Sequence, residues 1–136
     1  MMLQKGKFHD LHQAISLELL QIKFFSFVFL IHLSLTKLDV LDELDEIKMC
    51  IQYELDGKKI DYLPAAVEDQ LKIKPIYKIF PGWKCSTNGI KNIEALPENA
   101  KKYIFALEDF IGAKVSSVST SPERKDTILI ENPFDI

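Results

Sequence analysis

The amino-acid sequence predicts an α/β fold in which the strands of a mixed sheet accompany one long helix over about residues 97–111. Pro97 at the start of the helix, Gly112 just after its end and apolar residues recurring every three or four positions between them all indicate it. Short apolar or alternating runs bounded by turn residues lie on both sides of the helix and are typical of strands. A length of 136 residues suits a single domain with one core.

The region before residue 32 combines a helical pattern with an apolar run. Apolar residues between positions 11 and 20 recur at helical spacing, which predicts an amphipathic helix there. Residues 24–31 are strongly apolar, but charged residues on either side leave a stretch shorter than the roughly 20 residues that a membrane span needs. We therefore predict a buried strand that continues into residues 33–35, and neither a membrane helix nor a signal peptide.

The middle of the chain predicts a hairpin and several shorter elements. Residues 47–55 alternate between apolar and polar and are followed by Asp56-Gly57, a favoured two-residue turn, so we place the second strand at residues 58–62. Trp83 follows a Pro-Gly turn, and we expect it to anchor a loop onto the core rather than to form a stacking platform. The other predicted elements are a short helical turn and three strands, at residues 66–71, 75–80, 114–118 and 127–130.

Composition and charge argue against several classes of function. A net charge of −3 offers no electrostatic footprint for nucleic acid. Cys50 and Cys85 are too few for a disulfide framework, and we expect them to be reduced thiols. These features predict a cytoplasmic protein that binds neither nucleic acid nor a membrane.

A short polar motif, Thr36-Lys37-Leu38-Asp39, follows the apolar run and predicts recognition of a base. Guanine presents its N1–H and its exocyclic amine as two parallel donors, which an ionised Asp39 can accept, whereas adenine has no such pair on that edge. The aliphatic stem of Lys37 can lie on the flat face of the base. The alternative is that Lys37 and Asp39 are the polar start of an ordinary loop.

Further motifs follow this one in a defined order. They are Val40-Leu41-Asp42, Asp45-Glu46-Ile47-Lys48, Asp56-Gly57-Lys58, Pro81-Gly82-Trp83, Leu96-Pro97-Glu98-Asn99-Ala100, Ser119-Thr120-Ser121-Pro122-Glu123-Arg124 and Asn132-Pro133-Phe134. Together with the first motif they resemble the C-terminal third of adenylosuccinate synthetase, over about residues 32–136. Residues 1–31 match nothing in that family and form a leader of unclear origin.

The resemblance implies a fold, a reaction and a set of ligands. The fold would be the C-terminal part of a P-loop-like GTP-dependent ligase. The family uses GTP to join IMP and L-aspartate through 6-phosphoryl-IMP in AMP biosynthesis, requires Mg²⁺ and forms homodimers. The resemblance assigns guanine recognition to two segments, whose residues are Lys37, Leu38, Asp39, Ser119, Thr120 and Ser121. The family has glycine at the position of Ser121, where this chain departs from the pattern.

The catalytic parts of the family have no counterpart in this sequence. A Gly-rich phosphate loop with its Asp base, a catalytic His, the ligands of Mg²⁺ and an Arg-rich aspartate-binding loop are all missing, and Arg124 is the only arginine. Arg124 either contacts phosphate or pairs at the surface with Glu123 or Asp126, and we expect the surface pair. Because phosphoryl transfer depends on cations around the phosphates, we expect a truncated chain that is not catalytic alone.

Two other functions fit the sequence. The chain can be a non-catalytic module that binds GTP or docks on a synthetase subunit. It can also be a small membrane-associated protein that uses residues 24–31.

Overall fold

The computed structural model describes residues 32–132 and confirms the predicted α/β class, with mixed sheet strands and one long helix. The helix and leader predictions for residues 1–31 lie outside the described residues. The strands are β1 (His32–Leu35), β2 (Glu46–Leu55), β3 (Lys58–Ile60), β4 (Lys74–Pro81), β5 (Lys114–Ser119) and β6 (Thr127–Leu129). The α-helices are α1 (Val67–Gln70) and α2 (Glu98–Ile111), and 3₁₀ turns lie at Leu38–Leu41, Ile93–Ala95 and Arg124–Asp126.

The described residues fall into two compact units, of which the first contains residues 48–78. Its sheet has the strand order β3-β2-β4. The predicted hairpin is confirmed, because Leu55 pairs with Lys58 across the two-residue turn. Asp56 has a φ of 50° and Gly57 a φ of 78°, as a type I′ turn requires.

The second unit contains residues 32–47 and 79–132. Its sheet has the order β1-β5-β6, with β1 parallel to β5 and β6 antiparallel to β5. The register shifts between Leu33 and Ser34, so Ser116 is an extra residue on β5. The Ser116 Oγ hydroxyl lies 3.3 Å from the Leu33 carbonyl oxygen, and the Ser116 carbonyl accepts from the Ile130 amide at 2.8 Å. The bulge residue is thus tied to both neighbouring segments.

Helix α2 supplies one wall of the core of this unit. It follows Pro97 and ends where Gly112, with a φ of 77°, donates its amide to the Glu108 carbonyl at 2.8 Å. These are the two end signals from which the helix was predicted. One face of α2 is buried and contacts β5. The core residues of α2, β5 and β6 are Ala100, Tyr103, Ile104, Leu107, Ile111, Val115, Val118 and Ile128.

Two predictions about single side chains have different outcomes. Trp83 is buried and lies against Tyr103, with the ring centroids 6.3 Å apart, so its role as an anchor is confirmed. The predicted surface pair of Arg124 is wrong: within residues 32–132, Asp126 is paired with Lys91 at 3.9 Å. Asp126 is 7% exposed, and its carboxylate is directed into hydrogen bonds of its own loop instead.

Within residues 32–132, no helix has the length and apolar character that spanning a bilayer requires.

Candidate functional site

The two segments that the sequence singled out lie at one edge of the β1-β5-β6 sheet. Strands β1 and β5 are parallel, and Leu35 is in register with Val118. Lys37–Asp39 follows β1 directly, and the turn at residues 119–121 contains the last residue of β5. The carboxyl ends of neighbouring parallel strands are where α/β folds usually bind ligands. The sequence alone does not show that these two segments are close in space. The register of β1 with β5 shows that they follow neighbouring strand ends.

The first half of the site is a tight turn with an unusual backbone. Lys37 is exposed and adopts the left-handed conformation, with φ 58° and ψ 46°, immediately before the 3₁₀ turn Leu38–Leu41. The Leu38 side chain is 1% exposed and anchors this turn in the core. The Asp39 Oδ1 oxygen is buried and has no hydrogen-bond partner among the described residues. Because buried acceptors normally have a donor, we expect a group other than the described residues to donate a hydrogen bond to this oxygen.

The second half of the site is a turn held by its own polar groups. The Ser121 hydroxyl donates to Asp126 Oδ2 at 2.8 Å and accepts from the Glu123 amide at 2.9 Å. The Ser119 hydroxyl donates to the Ser121 carbonyl at 2.9 Å. The Thr120 hydroxyl lies 2.8 Å from the Ile90 carbonyl and 3.0 Å from that of Asp126, so its single proton is used internally.

Glycine is not required at Ser121 by the backbone conformation. Within the described residues, the non-glycine residues with positive φ are Lys37, Asp56 and Lys84, so Ser121 lies outside the left-handed region. Ser121 is also 5% exposed, and its hydroxyl makes the two hydrogen bonds that shape the turn. The Ser121 side chain therefore stabilises this loop through its two hydrogen bonds.

In the sequence Asp42 stands out only as the end of the motif Val40-Leu41-Asp42, with no role assigned to it, but it is central to the geometry. Its Oδ1 accepts from the Trp83 indole N–H at 2.7 Å and from the Thr87 hydroxyl at 2.8 Å. Its Oδ2 accepts from the Thr87 amide at 2.6 Å. Nothing in the sequence distinguishes Asp42 from the neighbouring exposed acids Glu43 and Asp45, because its donors lie more than 40 positions away.

The groups with a clearly shifted pKa are core residues of α2 and β2. Burial raises the pKa of the Tyr103 phenol on α2 to about 12. On β2, burial likewise raises the pKa of Cys50, and that of Tyr53 is raised mainly by the same cause. These groups are buried residues of helix and strand interiors and are not part of the two turns.

The described residues do not form a metal site of their own. No group of three or more His, Cys, Asp or Glu side chains within residues 32–132 could hold a metal ion. The Mg²⁺ that the resemblance implies is usually held by one or two carboxylates together with substrate phosphates, a kind of site that needs no such cluster. The two turns instead combine a carboxylate, a cation and serine hydroxyls, which suits hydrogen bonding to a polar heterocycle.

Comparison with known proteins gives a consistent result. The sequence profile of the adenylosuccinate synthetase family matches residues 24–128, beginning within the apolar run rather than at residue 32. A fully ligated adenylosuccinate synthetase from Plasmodium falciparum has a similar structure, with a TM-score of 0.69 and 34% sequence identity. The similarity covers 72% of this chain and 24% of that one, so the chain spans a minor part of its relative. This chain belongs to the adenylosuccinate synthetase family.

Proposed function

We propose that this chain provides the guanine-recognition part of an adenylosuccinate synthetase. The observation that supports it best is the position of the two turns at the carboxyl ends of β1 and β5, with a buried Asp39 oxygen that has no hydrogen-bond partner within residues 32–132. An ionised carboxylate accepts both parallel donors of guanine, so the unmet hydrogen bond of Asp39 has a fitting donor in GTP. ATP lacks the matching pair of donors.

The remaining groups of the two turns have separate roles in this proposal. The exposed Lys37 side chain lies with its aliphatic stem on the base and its ammonium in water or near phosphate. Leu38 is 1% exposed and anchors the first turn in the core. Thr120 is 0% exposed, and both its amide and its hydroxyl are bonded within the protein, so it supports the second turn from inside. Ser119 keeps a hydroxyl lone pair available to the ligand.

The reaction proposed for the complete machinery is the GTP-dependent ligation of IMP and L-aspartate. This chain would read the base but would not transfer the phosphoryl group alone, because that step needs several cations around the phosphates and Arg124 is its only arginine. Mg²⁺ would arrive bound to the nucleotide phosphates, where it neutralises their charge. A cytoplasmic homodimer, as in the family, is part of the same proposal.

Calorimetric titration of the purified chain with GTP and then with ATP, each with Mg²⁺, tests this function. We expect saturable binding of GTP and none of ATP over the same range. Asp39→Asn keeps the size of the side chain but replaces an acceptor with an amide donor, so GTP affinity should fall roughly 10- to 100-fold. Asp109→Asn makes the same chemical change on the exposed face of α2 and should leave binding unchanged.

Two results would count against the proposal. Equal affinity for GTP and ATP would remove the base preference, and equal GTP affinity in Asp39→Asn and the wild type would remove the role of Asp39. Saturable GTP binding without ligase activity would favour the non-catalytic binding module over a catalytic chain.

A further inference from the structure

Residues 83–91, here named the brace, are hydrogen-bonded to Asp42, which follows the first turn of the candidate site, and to Thr120 in the second turn. All three segments belong to the same compact unit of the chain. Apart from a short bend and turn, the brace has no regular secondary structure. Its conformation is held by side-chain hydrogen bonds to other segments and by one turn of its own, in which the Ile90 amide donates to the Thr87 carbonyl at 3.1 Å.

At its first end the brace is fixed to Asp42. Both oxygens of this carboxylate are used, by Trp83 Nε1 at 2.7 Å and by the amide and hydroxyl of Thr87 at 2.6 and 2.8 Å. Asp42 in turn closes the 3₁₀ turn, because its amide donates to the Asp39 carbonyl at 3.2 Å. Asp42, to which the brace is bonded, is thus three residues along the chain from Asp39, whose carboxylate we assign to guanine.

At its second end the brace is fixed to the turn at residues 119–121. The Ile90 carbonyl accepts from the Thr120 hydroxyl at 2.8 Å. Lys91 Nζ lies 3.9 Å from Asp126 Oδ1, whose other oxygen accepts from the Ser121 hydroxyl at 2.8 Å. The two ends of one loop therefore reach the two turns that follow β1 and β5.

We propose that Asp42 and Thr87 are positioning residues for guanine recognition, acting by holding the Lys37–Asp39 turn and the 119–121 turn at a fixed separation. The inference rests on the proposed function. Leu35 is the last residue of β1 that pairs with β5, so the pairing of the two strands does not itself hold the Lys37–Asp39 turn that follows. Charge-assisted bonds to both Asp42 oxygens supply the missing constraint.

The fluorescence of Trp83 can report on this arrangement. It is the only tryptophan of the chain, and its indole N–H donates to Asp42. If the brace holds both turns, GTP bound between them should change the tryptophan fluorescence in a saturable way. The fluorescence midpoint should then agree with the calorimetric dissociation constant.

Substitutions at Thr87 give the sharpest test, because Val and Ser separate shape from hydrogen bonding. Thr87→Val keeps the buried volume but removes the hydroxyl bond to Asp42, so GTP affinity should fall about tenfold. Thr87→Ser keeps the hydroxyl and should bind within about threefold of the wild type. Asp42→Asn should weaken binding further and abolish the fluorescence change. Ser86→Ala, in the brace but without contact to Asp42, should behave as the wild type.

Affinities are compared well below the unfolding midpoint of every variant, so a loss of folded protein does not contribute to them. Equal GTP affinity of Thr87→Val and Thr87→Ser overturns the inference while the proposed function stands. If Asp42→Asn does not fold, the Thr87 pair alone decides. Absence of saturable GTP binding by the wild type overturns both the inference and the function on which it rests.

Discussion

At the scale of single residues, Lys37 combines backbone strain with a proposed contact to the ligand. A side chain in the left-handed region costs about 1 kcal/mol relative to glycine, and such strain often accumulates at functional sites. Lys37→Gly should therefore raise the free energy of unfolding by up to about 1 kcal/mol while weakening GTP binding about tenfold. Urea denaturation measures the first effect and calorimetry the second.

Asp56 offers a matched control for Lys37. It has a φ of 50° in the hairpin turn between β2 and β3, in the other compact unit. Asp56→Gly relieves the same kind of strain and should leave GTP binding unchanged. If Lys37→Gly were stabilised without losing affinity, Lys37 would be a strained loop residue with no part in recognition.

Tyr103 makes the stability of the fold sensitive to alkaline pH. It is 3% exposed, and burial raises its pKa from 10.0 to about 12, so the folded chain holds the phenolic proton more tightly than the unfolded chain does. Its contribution is complete below pH 10 and is lost as the pH rises through 12. Between pH 10 and pH 12 the free energy of unfolding should fall by about 2 kcal/mol more in the wild type than in Tyr103→Phe. Parallel pH profiles of the two proteins would contradict the assignment.

At the scale of elements, Gly82 fixes the end of β4 against the segment that leads into β2. Its amide donates to the Asp45 carbonyl at 2.8 Å, and its carbonyl accepts from Asn99 at 3.0 Å. A Cβ at this position would overlap the Leu44 carbonyl. Because this obstacle is backbone, Gly82→Ala should reduce the free energy of unfolding by about 2 kcal/mol, measured by urea denaturation.

Gly89 is a control for Gly82, because a side chain there would test backbone conformation without a steric clash. It has a φ of 77°, and a Cβ there would meet nothing within 4 Å. Gly89→Ala should cost about 1 kcal/mol from conformation alone. A larger loss for Gly89→Ala than for Gly82→Ala would show that the contact with Leu44 is not what makes Gly82 necessary.

Elements defined by local signals could be predicted from the sequence, whereas their pairing could not. Pro97, Gly112 and the Asp56-Gly57 turn act on neighbouring residues, so α2 and the β2-β3 hairpin were found within a few positions of their true ends. The pairing of β1 with β5 joins residues 83 positions apart, as the Ser34–Ser117 contact illustrates. Periodicity carries no information at that range.

The same distinction explains which site residues were found. Lys37 and Asp39 stand out because they follow an apolar run directly. Asp42, Thr87 and Asp126 gain their importance from partners in other segments, and in the sequence they look like ordinary loop residues. Their polar groups are recognised only when burial and hydrogen bonds are known.

At the scale of the whole molecule, family membership and local geometry support different statements. The match over residues 24–128 establishes the family. The alignment with the Plasmodium falciparum enzyme covers 24% of that chain, so ligase activity stays a proposal for this one. The proposal that the two turns recognise guanine is narrower, and it can be tested without the rest of the reaction.

The parallel pairing of β1 with β5 also has a consequence for how the protein is made. Synthesis runs from the N-terminus, so Lys37 and Asp39 leave the ribosome long before Ser119 is added. Strand β1 therefore cannot pair with β5 until about 80 further residues have been synthesised, and closing so long a loop is slow. The edge formed by the two turns is therefore among the last features to assemble, and a nascent chain that stops short of β5 carries Lys37 and Asp39 without the turn at residues 119–121.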